Sequence, residues 1–429
     1  MNKKYLFLLV FTVLICCKSK MILQNSYIIE KTNTTINSNK HDIRTILLHK
    51  VENKMSLPII NLNSNEKLKL SFDDMNGDLS NFYLTIDHYD SKWKQSNLLK
   101  SEFIEGFDKD EIIDYKYSFN TLKNYIHYQY IFPSENLKPI LSGNYKMKIF
   151  NLNGDTIFSK KFMVIENIVN INVNIKKATL SQDRKTKHEI DFNINHSNLN
   201  ISDPFSQIEV VIKQNNKEDN AIRGLKPMYV RNNSLIYDYN EENTFFGNNE
   251  FRHFDIRSLR YFSDRVKDIR RDSLEYEVSL FKDQKRSFVK YSIDPDINGQ
   301  FYIESQEARD SDIEAEYVNV LFSLNSDLIT LGDVYLVGEF NSWEIDEKYK
   351  LVYDFKQKLY SKKVNLKQGY YNYHYAIKDS SLNFLDVASI EGTHYQTRNN
   401  YQIYVYFKDF NDRYEKLIGF TKELSKELF

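Results

Sequence analysis

The histidines, cysteines and acidic residues are the side chains of this chain that could perform catalysis or hold a metal ion, and their spacing favours neither. None of the nine histidines takes part in an HExxH or HxH pattern, which would bring two imidazoles to one zinc ion. The sequence also lacks the GxSxG serine motif, the Walker phosphate loop and the GxGxxG dinucleotide motif. We therefore expect no catalytic residue, no metal site and no cofactor. Motif evidence alone leaves a hydrolase as an open alternative, although the sequence shows no nucleophile–base set for it.

Two groups of neighbouring carboxylates stand out, Asp73-Asp74 and the run at 108–111. Asp73-Asp74 follows the alternating pattern Lys67–Phe72 and precedes the turn signal Asn76-Gly77-Asp78. An aspartate at the start of a turn commonly accepts hydrogen bonds from its own backbone. The sequence therefore predicts that Asp73 and Asp74 have a structural role in that turn.

The two cysteines are adjacent, at Cys16 and Cys17, and lie at the end of an apolar segment. Lys3 and Lys4 precede that segment, which is too short to span a bilayer, so residues 1–16 are predicted to be a cleaved signal peptide. The residues around Cys17 resemble a bacterial lipobox, and we predict that Cys17 becomes the lipidated N-terminal residue. A plain secretory signal with incidental cysteines is the alternative.

Residues 17–43 are rich in Asn, Thr and Ser and are expected to form a flexible tether. The residues directly after Cys17, Lys18-Ser19-Lys20, are basic, whereas surface-exported lipoproteins of Bacteroidetes usually carry acidic residues there. The prediction is therefore a lipoprotein on the periplasmic face of the outer membrane, held by several acyl chains.

The composition excludes several classes of protein. Lys and Arg number 58 and Asp and Glu 59, so the net charge of −1 offers no positive field for nucleic acid. Hydrophobic residues make up 41% and charged residues 27%, which excludes a disordered chain and a protein with many membrane spans. Aromatic residues reach 14% while Gly and Pro number only 12 and 6, a composition that suits long strands.

Apolar residues alternate with polar ones along much of the chain after residue 46, as in half-buried strands. Asn- and Gly-containing turn signals separate these segments, and convincing helices are scarce. The charged stretch Asp264–Arg271 is interpreted as a short helix or a loop. The predicted fold is all-β, with tandem immunoglobulin-like or early-set β-sandwich domains. Their predicted limits are 44–167, 168–315 and 316–429, with an acidic linker at Ser305–Glu316.

The last predicted domain resembles early-set carbohydrate-binding modules of glycogen-handling proteins. The resemblance rests on Gly332–Trp343 (GDVYLVGEFNSW) and on Leu366–Tyr375, where a glycine breaks the turn before alternating tyrosines. In that family the tryptophan matching Trp343 can stack on sugar rings, which makes Trp343 a candidate glycan contact. A core or rim position for Trp343 is the competing interpretation.

Several segments, taken in order, resemble the plug protein of the type IX secretion system of Bacteroidetes. They span residues 46–422, and the most specific is 249–259 (NEFRHFDIRSL). The other segments are 57–63, 70–75, 88–93, 119–128, 141–145, 366–373 and 391–395. One departure is Arg398, which stands where that family usually has an acidic residue.

The resemblance implies a non-enzymatic periplasmic protein that occludes the periplasmic opening of the outer-membrane translocon barrel between export events. That barrel would be its partner, no nucleic acid would bind, and the N-terminal lipid would be its membrane contact. The alternative function is a periplasmic glycan-binding lipoprotein that uses the C-terminal domain.

The segment 249–259 supplies the candidate partner contacts, and the competing interpretation is a strand and corner in which Arg252 and Asp255 pair to brace a turn. Trp93 is interpreted as a core anchor. The candidate contacts are Asn249, Glu250, Phe251, Arg252, Phe254 and Asp255.

Two short segments, Asp155-Thr156-Ile157 and Asp272-Ser273-Leu274, look like the O-glycosylation sequence of Bacteroidetes periplasmic proteins. They make Thr156 and Ser273 candidate modification sites.

Overall fold

The first domain consists of strands β1 to β11. The computed structural model describes residues 42–379 and 384–426. The strands are β1 (Ile43–Lys50), β2 (Ile59–Asn61), β3 (Leu68–Asp74), β4 (Phe82–Tyr89), β5 (Ile104–Gly106), β6 (Asp110–Ile112), β7 (Asp114–Tyr117), β8 (Ile126–Phe132), β9 (Leu137–Pro139), β10 (Gly143–Asn151) and β11 (Thr156–Ile165).

Two sheets of the first domain enclose one apolar core. Their strand orders are β1-β3-β8-β7 and β2-β11-β10-β4-β6, with β5 and β9 as a separate pair. Period-two alternation buries Leu68, Leu70 and Phe72 of β3 completely, and the ring of Phe72 meets that of Phe82 in β4 at 5.3 Å. The alternation seen in the sequence thus produces the sandwich.

The second domain begins with strands β12 to β18. They are β12 (Asn170–Lys177), β13 (Lys187–Asn195), β14 (Ile208–Gln214), β15 (Ile222–Arg223), β16 (Tyr229–Arg231), β17 (Ser234–Tyr237) and β18 (Thr244–Phe246). One sheet has the order β12-β13-β17-β16, and β18 also pairs with β13.

The third domain contains strands β19 to β28, after which the chain returns to the second domain. They are β19 (Arg252–Asp255), β20 (Val266–Arg271), β21 (Tyr276–Leu280), β22 (Asp283–Gln284), β23 (Phe301–Ile303), β24 (Tyr317–Asn325), β25 (Asp333–Val337), β26 (Val352–Asp354), β27 (Leu359–Lys367) and β28 (Gly369–Lys378). The returning strands are β29 (Asn400–Phe407) and β30 (Lys416–Leu424).

Sheet pairing in the third domain follows two orders. One sheet is β19-β28-β23 with β25 also on β28, and the other is β20-β21-β24-β27-β26 with β22 also on β24. The aromatic rings of Phe254, Phe322 and Tyr373 contact one another in the core between these sheets.

The third domain is inserted into the second, which corrects the predicted limits 168–315 and 316–429. Strand β14 pairs with β29 in the sheet β15-β14-β29-β30, so segments on either side of the third domain share one sheet. The core of the second domain accordingly combines residues from 169–245 with residues from 401–418. Hydrophobic alternation identifies the buried face of a strand but not its partner, which is why a serial arrangement was predicted.

The all-β prediction is confirmed, while the interpretation of Asp264–Arg271 is wrong because this stretch contains strand β20. Each α-helix of the described residues spans a single turn, and none is long and apolar enough to cross a membrane. These helices are α1 (Lys100–Phe103), α2 (Pro204–Gln207), α3 (Ser311–Glu314) and α4 (Ala388–Glu391), and two 3₁₀ turns lie at Glu339–Asn341 and Glu347–Tyr349.

Candidate functional site

The candidate contact segment 249–255 forms part of the third-domain core. Asn249, Glu250, Phe251, Arg252 and Phe254 are all buried, and Asp255 is half-buried. Phe251 stacks on His374 at 3.8 Å, and Phe254 stacks on Tyr371 at 5.2 Å. Buried side chains cannot contact a partner directly, so the partner contacts predicted at the five buried residues are corrected to structural roles, and a partner contact through Asp255 stays a prediction.

Arg252 lies at the centre of a buried group of charges. Its Nε is 3.0 Å from both carboxylate oxygens of Glu391, its Nη1 donates to Asp283 at 2.9 Å, and its Nη2 donates to the Gln284 carbonyl at 2.6 Å. The predicted pair of Arg252 with Asp255 is wrong, because residues three apart in a strand point to opposite faces. Asp255 instead accepts from Arg257 Nη2 at 2.7 Å.

Neighbouring side chains complete the compensation of these charges. Arg286 Nε donates to Glu391 at 2.9 Å, and Arg265 Nη2 donates to Asp283 at 2.6 Å. Burial by itself raises the pKa of Glu391, but Arg252 and Arg286 hold it at about 2. The carboxylate is therefore ionised at neutral pH, and the two arginines, together with Tyr375 N, which donates to it at 3.0 Å, stabilise the buried charge.

A second buried charge group joins the first domain to the third. The carboxylate of Asp73 in β3 accepts from Lys367 Nζ at 2.6 Å and from the Tyr317 hydroxyl at 2.7 Å. His127 Nδ1 lies 2.7 Å from the other Asp73 oxygen. The side chains of both Asp73 and Lys367 are 1% exposed. Asp74 does cap its turn, by accepting from Asn76 N at 3.0 Å, but the turn role predicted for Asp73 is wrong.

The acidic segment Ser305–Glu316, predicted to be a linker, contacts the first domain. Asp312 pairs with Lys69 at 2.8 Å, Asp310 pairs with Lys116 at 3.0 Å, and Glu316 accepts from Leu122 N at 2.6 Å. Burial opposes the ionisation of Asp312, but Lys69 and His127 hold its pKa at about 2. The linker interpretation is therefore wrong, because the acidic side chains are paired across a domain junction.

The junction between the first and second domains combines a buried apolar cluster with polar contacts, among them the pair of Lys161 with Glu218 at 3.7 Å. Trp93 and Tyr89 form one buried cluster with Tyr404, Tyr406 and Leu417. The Tyr406 hydroxyl donates to the Asn144 side chain at 2.9 Å, and Arg223 Nη1 donates to the Ser91 carbonyl at 2.9 Å. The prediction that Trp93 is a core anchor is confirmed, since it is buried at this junction.

His188 connects the second domain to the end of the inserted one. Its Nε2 lies 2.5 Å from the Tyr395 carbonyl, and its Nδ1 lies 2.8 Å from the Tyr401 hydroxyl. These contacts suit a neutral ring that donates from Nε2 and accepts at Nδ1. Burial lowers the pKa of His188 to about 4 and that of His374 to about 3.

These two histidines predict a loss of stability on mild acidification. In the unfolded chain each protonates near its ordinary pKa of 6.5, whereas in the folded chain each stays neutral to a lower pH. Their stabilising effect is present above pH 6.5 and is lost as the pH falls toward 4. Between pH 6 and 5 each lowers the free energy of unfolding by about 1 kcal/mol per pH unit. The free energy of unfolding can be measured by urea unfolding at several pH values. It should fall less steeply with decreasing pH in His188→Gln than in the wild type, and an equal dependence on pH would contradict this.

Three carboxylates of the second domain come close enough to share a cation. Glu189, Asp191 and Asp238 offer oxygens within 4.8 Å of one another. Lys176 Nζ lies 3.0 Å from Glu189, 2.5 Å from Asp191 and 4.0 Å from Asp238. The lysine ammonium therefore serves as their counter-charge, and we assign no metal ligand to this group.

Comparison with known proteins identifies the family. The family described as "Type 9 secretion system plug protein 1st domain" matches residues 43–166, which correspond to strands β1–β11. A crystal structure of a hypothetical protein from Parabacteroides merdae ATCC 43184 is 33% identical, covers 89% of this chain and 97% of that chain, and has a TM-score of 0.86. The chain belongs to the type 9 secretion system plug protein family. Its role accordingly lies in type IX secretion.

Other comparisons add nothing to the family assignment. No curated protein matches. A DNA-bound alkylpurine DNA glycosylase AlkC from Pseudomonas fluorescens is 14% identical, covers 32% of this chain and 34% of that chain, and has a TM-score of 0.17. The BSP domain of a biofilm-associated protein is 9% identical, covers 89% and 59% of the two chains, and has a TM-score of 0.16. Neither likeness carries an argument.

Trp343 is half-buried and contacts residues of two domains. Its ring lies 5.7 Å from that of Phe251 and 5.7 Å from the Lys217 ammonium of the second domain. A Cβ at Gly299 would lie 2.2 Å from Trp343 Cη2, so the close approach of the indole requires glycine there. These contacts describe a packing residue, and sugar stacking by Trp343 stays a prediction.

The remaining candidate residues have simple locations. Thr156 begins β11 and Ser273 lies in the turn between β20 and β21, and both are exposed. Their exposure is what O-glycosylation requires, and the modification itself stays a prediction. Cys17, the signal peptide and the tether up to residue 41 lie outside the described residues.

Sequence reasoning missed the residues that connect the first domain to the third, chiefly Asp73, Tyr317 and Lys367, and it missed Glu391, the buried partner of Arg252. The available signal was weak: Asp73 and Lys367 are charged residues next to strongly apolar strand patterns. Each lies in a segment that resembles the plug family, but nothing in the sequence indicates that the two side chains meet.

Proposed function

We propose that this protein occludes the periplasmic opening of the type IX translocon barrel when no cargo is being exported. Membership of the plug protein family is the observation that carries the proposal. A pore wide enough for folded proteins would also pass small solutes, so its resting state requires an occluding partner. Such a partner acts by covering the opening, and the proposed activity therefore requires no catalysis.

The domain junctions support occlusion because they resist separation of the domains. The pair of Asp73 with Lys367 holds the first domain to the third, and the Trp93 cluster holds the first to the second. The chain also crosses twice between the second and third domains. A protein that covers a wide opening must withstand deformation, and these contacts make separate movement of the domains costly.

The proposed contact with the barrel must be reversible. Stable but non-obligate complexes bury about 1,600 Å² in total, and obligate ones bury more. An interface of about that size or smaller would let cargo displace the plug and let it return.

Deleting the gene is expected to make the outer membrane permeable to small hydrophilic solutes only while the translocon is present. The reason is that an unoccupied barrel leaves an open route, whereas a strain without the barrel has none. Uptake of a fluorescent dye or a bulky antibiotic can be compared in the wild type, the plug deletion, the barrel deletion and the double deletion. Equal uptake with and without the plug in strains that carry the barrel would contradict occlusion.

We further propose that the protein is a lipoprotein tethered to the periplasmic face of the outer membrane through Cys17. A tether raises the effective concentration of the plug near the barrel and so speeds resealing. The Cys17→Ala variant is expected to move from the membrane fraction to the soluble periplasmic fraction. Fractionation and immunoblotting measure this, with Cys16→Ala as the matched control that keeps the membrane location. Unchanged partition of Cys17→Ala would refute the tether.

A further inference from the structure

An open groove of about 470 Å³ lies in the second domain between β12 and β30, which are edge strands of its two sheets. At one end the strands meet, since Val169 N donates to the Ile418 carbonyl at 3.2 Å. A Cβ at Gly419 would lie 2.5 Å from Val169 Cγ2, so only glycine permits this approach. Beyond this contact the strands separate, and the groove occupies the space between them.

The lining of the groove is polar but uncharged. Asparagines supply one wall, Phe420 supplies the other, and none of the lining residues is acidic or basic. The volume falls within the range of sites that hold small ligands. The lining asparagines are Asn167, Asn170, Asn172 and Asn195.

The asparagines are unusual because this residue is depleted in strands. Asn170, Asn172 and Asn174 occupy alternate exposed positions of β12. Opposite them in β13, Asn195 faces Asn170 and Asn193 faces Asn172. Two of the lining amides already have a partner, since Asn172 Nδ2 donates to Asn193 Oδ1 at 3.0 Å and Asn167 Nδ2 donates to Asn61 Oδ1. Residues that contradict local preference are nevertheless typical of binding sites.

Main-chain groups add to the hydrogen-bonding capacity of the groove. Ala178 N donates to the Lys187 carbonyl at 3.2 Å, which makes the even-numbered residues of β12 the ones that bond to β13. The N–H and C=O of Ile171 are therefore directed to the open edge. In β30 the alternation runs the other way. Ser425 N donates to the Asn399 carbonyl at 2.9 Å, so the odd-numbered residues bond to β29. The N–H and C=O of Phe420 are therefore directed away from β29, to the open edge of β30.

We propose that this groove binds a neutral oligosaccharide. Amide side chains both donate and accept, as sugar hydroxyls require, and the main-chain groups at the two open edges add further donors and acceptors. An ionic ligand finds no opposite charge in the lining. An added peptide strand requires pockets for alternate side chains, and the β12 wall presents amides instead.

The test is a binding experiment on the full mature chain with maltohexaose, cellohexaose and chitohexaose, together with an array of neutral and acidic glycans and a set of extended peptides. We expect at least one neutral glycan to bind and the Asn170→Ala/Asn172→Ala variant to weaken it at least tenfold. Asn174→Ala, on the same face of β12 but outside the lining, is the matched control and should leave the affinity unchanged.

Several results would overturn this proposal. They are the absence of neutral-glycan binding across the array, a preference for acidic glycans or peptides, and neutral-glycan binding that the double variant leaves intact. Neutral-glycan binding lost in Trp343→Ala but kept in the double variant would place the site on the third domain instead. An unchanged thermal midpoint of the double variant shows that a loss of binding is not a loss of folding.

Discussion

Substituting Arg252 with leucine is expected to lower the free energy of unfolding by about 3 kcal/mol, the low end of the range for breaking a buried ion pair. The variant leaves the carboxylates of Asp283 and Glu391 buried without their shared partner, at 2% and 0% side-chain exposure. Arg265 and Arg286 remain beside them, which keeps the loss near the lower limit. Urea unfolding followed by circular dichroism measures the change.

The matched control is Arg270→Leu, which removes an arginine from a solvent-exposed pair. Arg270 lies 2.8 Å from Asp268, but its side chain is 77% exposed. Exposed pairs contribute less than about 1 kcal/mol, so this variant should unfold almost as the wild type does. Similar losses for Arg252→Leu and Arg270→Leu would contradict the assigned role of the buried charge group.

Substituting Lys367 with methionine is expected to loosen the first domain from the third and to cost about 3 kcal/mol. Asp73 keeps the Tyr317 hydroxyl and His127 as neighbours but loses its buried ammonium partner. Hydrogen exchange should therefore quicken for amides of β3 and β27, the two strands that carry the pair. Adding Asp73→Asn should restore part of the loss, because it removes the unpaired charge.

Lys116→Met is the matched control at the same junction. Lys116 pairs with Asp310 at 3.0 Å, but the two side chains are 51% and 38% exposed. Its loss should leave hydrogen exchange in β3 and β27 unchanged. If the amides of β3 and β27 exchange no faster in Lys367→Met than in Lys116→Met, the buried pair does not hold the two domains together.

Local patterns in the sequence predict the strands well but not how they are arranged. The alternation at Lys67–Phe72 gives β3, and that at Asn144–Phe150 gives β10. Strand β20 could not be predicted from alternation, because only Val266 in it is fully buried and the strand ends in exposed arginines. The insertion of the third domain into the second could not be predicted either, because the pairing of β14 with β29 joins residues far apart in the chain.

The candidate contact segment shows why charge alone is a poor guide to exposure. Arg252 and Glu250 suggest a surface when considered singly, yet the fold buries both. Compensation for Arg252 comes from Asp283 and Glu391, which lie in other parts of the third domain, and the Glu250 carboxylate accepts from the Tyr291 hydroxyl at 2.5 Å. Family resemblance identified the segment as important, and only the fold shows that its importance is structural.

The most direct test of occlusion is the conductance of the purified type IX translocon barrel in a planar lipid bilayer. Adding the mature plug protein to the periplasmic side should close most of the open channels, and adding it to the opposite side should not. Channels that stay open at saturating plug concentration on the periplasmic side would contradict the proposed function.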